Sequence, residues 1–364
     1  MEEEQISRTQ LTSLIWAGVL APAAELLPGL TLPAAGKGAW LAPLAALPLV
    51  LAGGWLLGKL GEGRGLAAGL AESFPGKAVL ILYMVWGELL LALRLRLCAR
   101  RLLEAGRRDG AMWFFLLAVA AVALWMGLGR LSALARAGQF FLAILLTAGA
   151  VVLLLSLTHT RAERVLPLWA EDVPGILSSA LPAAGVLGWG LFAAFLLGSA
   201  EPEGRIGRWH WPIWGVGGCL LLTLSQYVIL GNLGPELAGR LDSPFFTLAQ
   251  SVGVEGAFQR VESVVTALWT LADLSMAGVL LFALRAAAAA LGWREKRTAA
   301  LGLLLAAALA LVPFSDRQAA AWNRTVVPLG NLILGLALPV LMILPKALRG
   351  KRGRGGTSCG SKGA

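Results

Sequence analysis

The stretch Leu11–Thr31 reads LTSLIWAGVLAPAAELLPGLT, and the stretch Leu177–Gly198 reads LSSALPAAGVLGWGLFAAFLLG. Each is long and apolar enough to cross a bilayer, which takes a helix of about 20 residues. Each is also interrupted, by Gly18, Pro22, Pro28 and Gly29 in the first and by Pro182, Gly185, Gly188 and Gly190 in the second. Because broken helices at membrane depth occur where backbone contacts a ligand, an ion or a cavity, these two stretches indicate both the fold and the place of a site.

The remainder of the chain is equally apolar. Hydrophobic residues make up 57% of the 364 residues and charged residues only 14%, whereas soluble proteins carry about 25% charged residues. The 45 glycines suit helices that meet through close packing of small residues. We therefore predict one polytopic membrane domain over residues 1–346, with halves at 11–157 and 177–345, and a basic disordered cytoplasmic tail over 347–364.

Ten apolar stretches are predicted to span the membrane, five in each half, with an interrupted stretch at the head of each half. The predicted spans are 11–31, 39–58, 76–98, 112–128, 137–157, 177–199, 211–231, 262–290, 298–314 and 324–345. The fourth and ninth are short, and the eighth is long enough to tilt.

The net charge of +10 lies mainly beside predicted helix ends, at Arg94–Arg108, Arg294–Arg297 and Lys346–Arg354. That placement favours anionic lipids as partners and argues against nucleic acid. Lys and Arg are more numerous in the segments predicted on the same side of the membrane as the two termini, which places both termini in the cytoplasm. The arginines of Arg94–Arg108 then lie on the outer side.

Catalytic and metal-binding patterns are weak. The three cysteines, Cys98, Cys219 and Cys359, have no paired spacing and predict neither a disulfide framework nor a metal site. His159 and His210 fall near predicted helix ends without a cysteine or carboxylate at ligand spacing. We expect no enzyme, no cofactor and no metal.

The interrupted spans suit a small zwitterion. Pro22 removes a backbone N–H and frees a carbonyl, while Gly185 and Gly188 permit unwinding and close approach of a ligand. Half-helix N-termini would attract a carboxylate, and freed carbonyls would accept from an ammonium group. The alternative is that these residues only kink and pack helices; the matched position in both halves favours a site.

Three carboxylates fall in the interior of predicted spans, where charge is costly and usually functional. Glu25 lies in the first span and Glu88 in the third, and each is a candidate proton carrier or ammonium partner. The alternative for both is pairing with a nearby arginine or reaching the interface. Asp273 lies in the eighth span, where it lines a cavity or bonds a neighbouring helix; both interpretations stay open.

Three short motifs resemble those of the GerAB-type spore germinant-receptor subunits. Phe258–Ser263 reads FQRVES and is followed by Trp269, which resembles that family's Arg–aliphatic–Glu–Ser…Trp signature before span 8. Ile6–Leu11 reads ISRTQL, and Leu166-Pro167 precedes span 6; both resemble further family elements. The three motifs occur in the family's order and spacing, and the resemblance extends over essentially the whole chain.

The resemblance implies an all-α membrane fold of the amino acid–polyamine–organocation superfamily, with ten helices in a five-plus-five inverted repeat and helices 1 and 6 discontinuous. It implies a permease-like subunit that binds a nutrient germinant, often an amino acid, beside A- and C-type subunits in the spore inner membrane. A proton-coupled amino-acid transporter is the alternative. The implied ligand contacts are Gly18, Ala21, Pro22, Tyr83, Gly185, Gly188 and Trp269. Arg260 and Glu262 are expected to serve structure or gating, alongside Glu25, Glu88 and Asp273.

Overall fold

A computed structural model of the chain describes residues 5–61, 64–105, 111–201, 210–251, 261–311 and 315–343, without the side chains of residues 261–263. The predicted tail at 347–364 and Arg260 therefore lie outside the described residues, and Glu262 is described only by its backbone.

The described residues form a bundle of helices. In chain order the helices are α1 (Arg8–Ala35), α2 (Ala42–Leu60), α3 (Leu66–Ala71), α4 (Phe74–Ala105), α5 (Met112–Leu128), α6 (Leu131–Leu157), α7 (Val173–Leu187), α8 (Ala193–Leu196), α9 (His210–Leu233), α10 (Pro235–Arg240), α11 (Pro244–Ser251), α12 (Val261–Ala290), α13 (Glu295–Leu311), α14 (Asp316–Arg324) and α15 (Val326–Leu332). A π-helical turn, Ile333–Ala337, follows α15.

Seven helical runs among the described residues are long and apolar enough to cross a membrane. The first, Arg8–Leu60, has 53 residues and contains both α1 and α2, so it covers two of the predicted spans. The α5 helix is apolar but shorter, with 17 residues, as the sequence predicts for the fourth span. The total of ten spans stays a prediction.

Helix α1 differs from the discontinuous first span that we expected. It runs as one α-helix of 28 residues with Pro22, Pro28 and Pro33 inside it. Proline removes the N–H that would bond the carbonyl four residues earlier, and for Pro28 that carbonyl belongs to Ala24. The Nε2 atom of Gln226 in α9 donates to this Ala24 oxygen at 3.3 Å. A neighbouring side chain thus replaces the lost bond, and the helix continues.

The sixth span is interrupted as predicted. Helix α7 ends at Leu187, a 3-10 turn covers Gly188–Phe192, and the one-turn helix α8 leads into a second 3-10 turn at Leu197–Ser199. Tightening from α to 3-10 geometry changes the bonding partners of the carbonyls before the turn. The break therefore redirects side chains as well as backbone.

Helix α1 and the sixth span lie side by side at the centre of the bundle. Ile6 N–H donates to the Ser199 carbonyl at 2.9 Å, and Glu201 N–H donates to the Ile6 carbonyl at 3.0 Å. At the opposite end, a Cβ atom on Gly175 would lie 2.3 Å from the Ala34 carbonyl oxygen. The two spans are therefore antiparallel neighbours, and α1 also packs against α6 and α12.

Candidate functional site

Four charged side chains form a linear network between helices α1, α4 and α12. Asp273 of α12 accepts from Arg94 Nη1 at 3.1 Å through Oδ1, and from Arg101 Nη1 at 2.5 Å through Oδ2. The second terminal nitrogen of Arg101 lies 3.4 Å from Oε2 of Glu25 in α1. The order Glu25–Arg101–Asp273–Arg94 alternates in charge, so two cations balance two carboxylates.

Aromatic side chains lie at both ends of this network. At the Glu25 end, Trp269 Nε1 donates to Glu25 Oε2 at 2.6 Å and Ser243 Oγ donates to Oε1 at 2.8 Å. At the other end, the guanidinium carbon of Arg94 lies 4.0 Å from the ring centre of Trp189. Trp189 belongs to the 3-10 turn of the sixth span, so the break in that span brings its indole onto the network.

The structure unites three of the predicted residues, Glu25, Trp269 and Asp273, and adds Arg94, Arg101 and Trp189, which were not among the predicted site residues. The charge pattern assigns Arg94 to a helix end at the interface, but its side chain is only 2% exposed. Arg94 interrupts the apolar run LLLALRLRLC of the third span. An intramembrane arginine needs an acidic partner, and that signal identifies it together with Asp273.

The predicted glycines lie at contacts between helices. A Cβ atom on Gly18 would lie 3.0 to 3.2 Å from atoms of Met276 in α12, and one on Gly188 would lie 2.8 Å from Cβ of Asn331. One on Gly185 would approach the carbonyl oxygen of Pro328 to 2.3 Å. These positions permit close helix packing in this conformation, and their contact with a ligand stays a prediction, as it does for the buried Ala21 and Pro22.

A second polar group joins the sixth span to the last helices. Asn331 of α15 donates from Nδ2 to the Gly185 carbonyl at 3.1 Å and accepts from Trp86 Nε1 at 3.0 Å. The regular α-helical partner of the Gly185 carbonyl would be the N–H of Trp189, four residues on. Nearby, the Tyr83 hydroxyl donates to the Leu334 carbonyl in the π-helical turn at 2.6 Å. Side chains from outside thus bond carbonyls at both irregular segments.

Glu88 lies apart from the charged network. It lines a cavity of about 10 Å³ with Tyr83, Gly87, Phe192 and Leu280, which is about the size that one water requires. Its Oε1 atom is buried and has no hydrogen-bond partner among the described residues. The carboxylate therefore lies between the third, sixth, eighth and ninth spans with one free oxygen.

Within the described part of the chain, no three His, Cys, Asp or Glu side chains come close enough to one another to hold a metal ion. The arrangement brings together hydrogen-bond donors, ion pairs and irregular backbone.

The fold is that of known transporters. The chain is similar to MhsT, whose crystal structure was solved in complex with L-phenylalanine, with a TM-score of 0.67 at 15% identity over 92% of this chain and 89% of that one. It is also similar to Mhp1, a nucleobase-cation-symport-1 family transporter in a closed conformation with bromovinylhydantoin bound. There the TM-score is 0.65 at 14% identity, over 88% of this chain and 75% of that one. These likenesses confirm the predicted all-α, inverted-repeat fold class.

Comparison of the sequence, rather than of the structure, identifies the family. None of the curated proteins matches the chain at a significant level. The profile of the family described as "Spore germination protein" matches residues 5–318, which is most of the chain and includes all four residues of the charged network. This confirms the resemblance that the motifs predicted. The chain belongs to the spore germination protein family of permease-like membrane proteins.

Proposed function

We propose that this protein is a permease-like subunit of a spore nutrient germinant receptor, and that it binds a small germinant such as an amino acid. One observation carries the proposal: the 3-10 turn Gly188–Phe192 of the sixth span lies against the buried Arg94–Asp273 pair of a charged network that joins the first, third and eighth spans. Irregular backbone at membrane depth occurs where it is buried in protein or lines a cavity. The network supplies charges of both signs to such a place.

The family and the fold support this proposal from two directions. The family profile connects the chain with spore germination. Two proteins of the same fold were solved with small molecules, L-phenylalanine in MhsT and bromovinylhydantoin in Mhp1. An amino acid carries a carboxylate and an ammonium group, and the network contains charges of both signs.

In the proposed mechanism the ligand favours one arrangement of the first and sixth spans over another. A ligand shifts such an equilibrium only by the difference in its affinity for the two states. The ion pairs join the first, third and eighth spans, and the contact of Arg94 with Trp189 joins the sixth span to them. A ligand that alters one of these contacts therefore biases the others. A- and C-type subunits are the proposed partners that convert this bias into solute release from the spore core, and anionic lipids are the proposed partners of the basic tail.

The test is germination of spores that lack the gene, followed as core-solute release against a panel of amino acids. We expect loss of the response to one or a few amino acids. Wild type should restore it, and Asp273→Asn should not, because the substitution removes the charge shared by Arg94 and Arg101. The matched control is Asp316→Asn, at a half-exposed partner of Arg96 outside the network. A normal response of the deletion strain to every amino acid would contradict the proposal.

A second candidate, a proton-coupled amino-acid transporter, is favoured by Glu88. Its buried Oε1 atom has no partner among the described residues and lies beside a water-sized cavity, an arrangement that suits a carboxylate that takes up and releases a proton. Uptake of amino acids by the purified protein in liposomes, driven by a pH gradient and abolished in Glu88→Gln, would establish this activity. Uptake that is equal with and without the gradient would exclude proton coupling.

A further inference from the structure

The two ends of the charged network differ in how completely they are satisfied. At the Glu25 end, Oε1 accepts from Ser243, and Oε2 accepts from Trp269 and lies near Arg101. At the other end, Arg94 uses one nitrogen, Nη1, on Asp273. Its Nε and Nη2 atoms are buried and have no hydrogen-bond partner among the described residues. Both oxygens at the Glu25 end therefore have partners, whereas two nitrogens at the Arg94 end have none among the described residues.

The indole of Trp189 adds a third unpartnered donor at the Arg94 end. Its side chain is 1% exposed, and its Nε1 atom also has no partner within the described part of the chain. The ring lies over the guanidinium, which holds the plane of that group by a cation–π contact. Buried N–H groups without acceptors are uncommon and cost about 1–3 kcal/mol each. Three such donors in one place therefore indicate an acceptor that binds there.

The free edge of Arg94 has the geometry of a carboxylate receptor. The Nε and Nη2 atoms form one side of the planar guanidinium, and their two N–H bonds run parallel at the spacing of carboxylate oxygens. Arg96, two residues further along α4, shows the same edge when it is occupied: its Nε and Nη2 atoms lie 3.1 and 2.8 Å from Oδ1 of Asp316. Asp273 does not occupy this edge, because its Oδ1 atom accepts from Nη1 of Arg94 and its Oδ2 atom accepts from Arg101.

We propose that the Nε–Nη2 edge of Arg94, together with the indole N–H of Trp189, is the anchor for the carboxylate of the ligand. This rests on the proposed function and specifies the ligand as a small carboxylate, bound beside the 3-10 turn of the sixth span. Helix α1 runs unbroken in this structure, so a freed N-terminus within the first span does not supply that anchor here. The network is neutral by itself, and a zwitterionic amino acid keeps it neutral where a simple carboxylate adds one charge.

The experiment compares carboxylates with their amides on the purified full chain in detergent. The probes are L-alanine, L-valine, L-leucine and L-phenylalanine, their amides, acetate and chloride, and the readout is the dissociation constant from the ligand-dependent rise in melting temperature. At least one amino acid should bind about 10- to 100-fold more tightly than its amide, as expected for a charged bidentate hydrogen bond. Acetate should bind weakly, and chloride more weakly than acetate.

Three variants connect the effect to the proposed anchor. Arg94→Lys keeps a cation for Asp273 but removes the paired N–H edge, so the preference for acid over amide should fall close to one. Trp189→Phe keeps a ring over the guanidinium and removes one donor, so the preference should fall only a few-fold. Arg96→Lys, which changes the neighbouring arginine that already holds a carboxylate, should keep the full preference.

The outcomes separate the anchor from the germinant role. Equal binding of acids and amides, or an unchanged preference in Arg94→Lys, would overturn the anchor and leave amino-acid binding standing. Binding of acetate without any amino acid would support the anchor and overturn the amino-acid ligand. Chloride binding as tight as that of the carboxylates would overturn the carboxylate assignment. Failure of every probe to bind the wild-type protein would overturn both proposals.

Discussion

The first and sixth spans, which begin the two predicted halves of the chain, both contain proline and glycine, but their structures differ. Helix α1 carries three prolines and stays helical throughout, whereas the sixth span has one proline inside α7 and breaks six residues later at Gly188. The difference lies in their neighbours. Gln226 supplies a donor to the carbonyl that Pro28 leaves free, while α15 approaches the sixth span at Gly185 and bonds its carbonyl through Asn331. Proline and glycine permit a break, and the surrounding helices decide whether one forms.

The largest expected loss of stability comes from removing the Asp273 carboxylate. Asp273 connects Arg101, which contacts the first span, with Arg94, which contacts the sixth span. Asp273→Ala leaves Arg94 and Arg101 without their shared partner, and loss of one member of a buried ion pair costs about 3–5 kcal/mol. Denaturant unfolding of the purified protein in detergent measures the loss. Asp316→Ala, which removes a half-exposed partner of Arg96, is the control and should cost under about 1 kcal/mol. Equal losses in the two variants would show that the network does not hold the spans together.

The next largest effects are expected from glycine substitutions that test how closely the sixth and first spans pack against their neighbours. Gly185→Ala puts a methyl group 2.3 Å from the Pro328 carbonyl oxygen, so α7 and α15 must separate at a cost of about 1–3 kcal/mol. Gly29→Ala in α1 meets nothing within 4 Å and should stabilise by about 0.5–1 kcal/mol through helix propensity. Melting temperatures of the two variants should move in opposite directions. A neutral Gly185→Ala would mean that the spans are not held this closely in the membrane.

A comparable loss of stability is expected when Asn331, which donates to the Gly185 carbonyl of the sixth span, is replaced. Asn331→Ala removes the donor to Gly185 and leaves the indole N–H of Trp86 without its acceptor. Loss of a buried partner costs about 1–3 kcal/mol. Trp86→Phe combined with Asn331→Ala should recover part of that loss, because no indole donor is then left unpaired; a strictly additive double variant would count against this explanation.

The smallest effect is expected at the side chain that supports the unbroken span. Gln226→Ala removes one bond of 3.3 Å to the Ala24 carbonyl, and a typical hydrogen bond contributes about 0.5–1.5 kcal/mol. The comparison with Asn331→Ala is sharpest in hydrogen exchange. Faster exchange near Pro28 in Gln226→Ala would show that the external donor keeps α1 continuous, and unchanged exchange would refute it.

The sequence located many of the important positions and few of their contacts. Glu25 and Asp273 were selected as carboxylates within apolar spans and Trp269 through the family motif, and the structure brings all three into one network. Arg94 was missed because an arginine near other arginines resembles a helix end at the interface. The glycines were selected for unwinding, and the structure shows them at close helix contacts. Composition cannot separate these two uses, since both require a residue without a side chain.

The sequence by itself determined that this is a helical membrane protein, that proline and glycine lie within the apolar stretches Leu11–Thr31 and Leu177–Gly198, and that the chain belongs to the spore germination protein family. Apolar run length and motif order are local properties of the chain, so they can be read without coordinates. Only the tertiary structure decided that Arg94 bonds Asp273, 179 residues away, and that α1 stays whole. Such pairings depend on the rotation and depth of each packed helix, which neighbouring helices fix together.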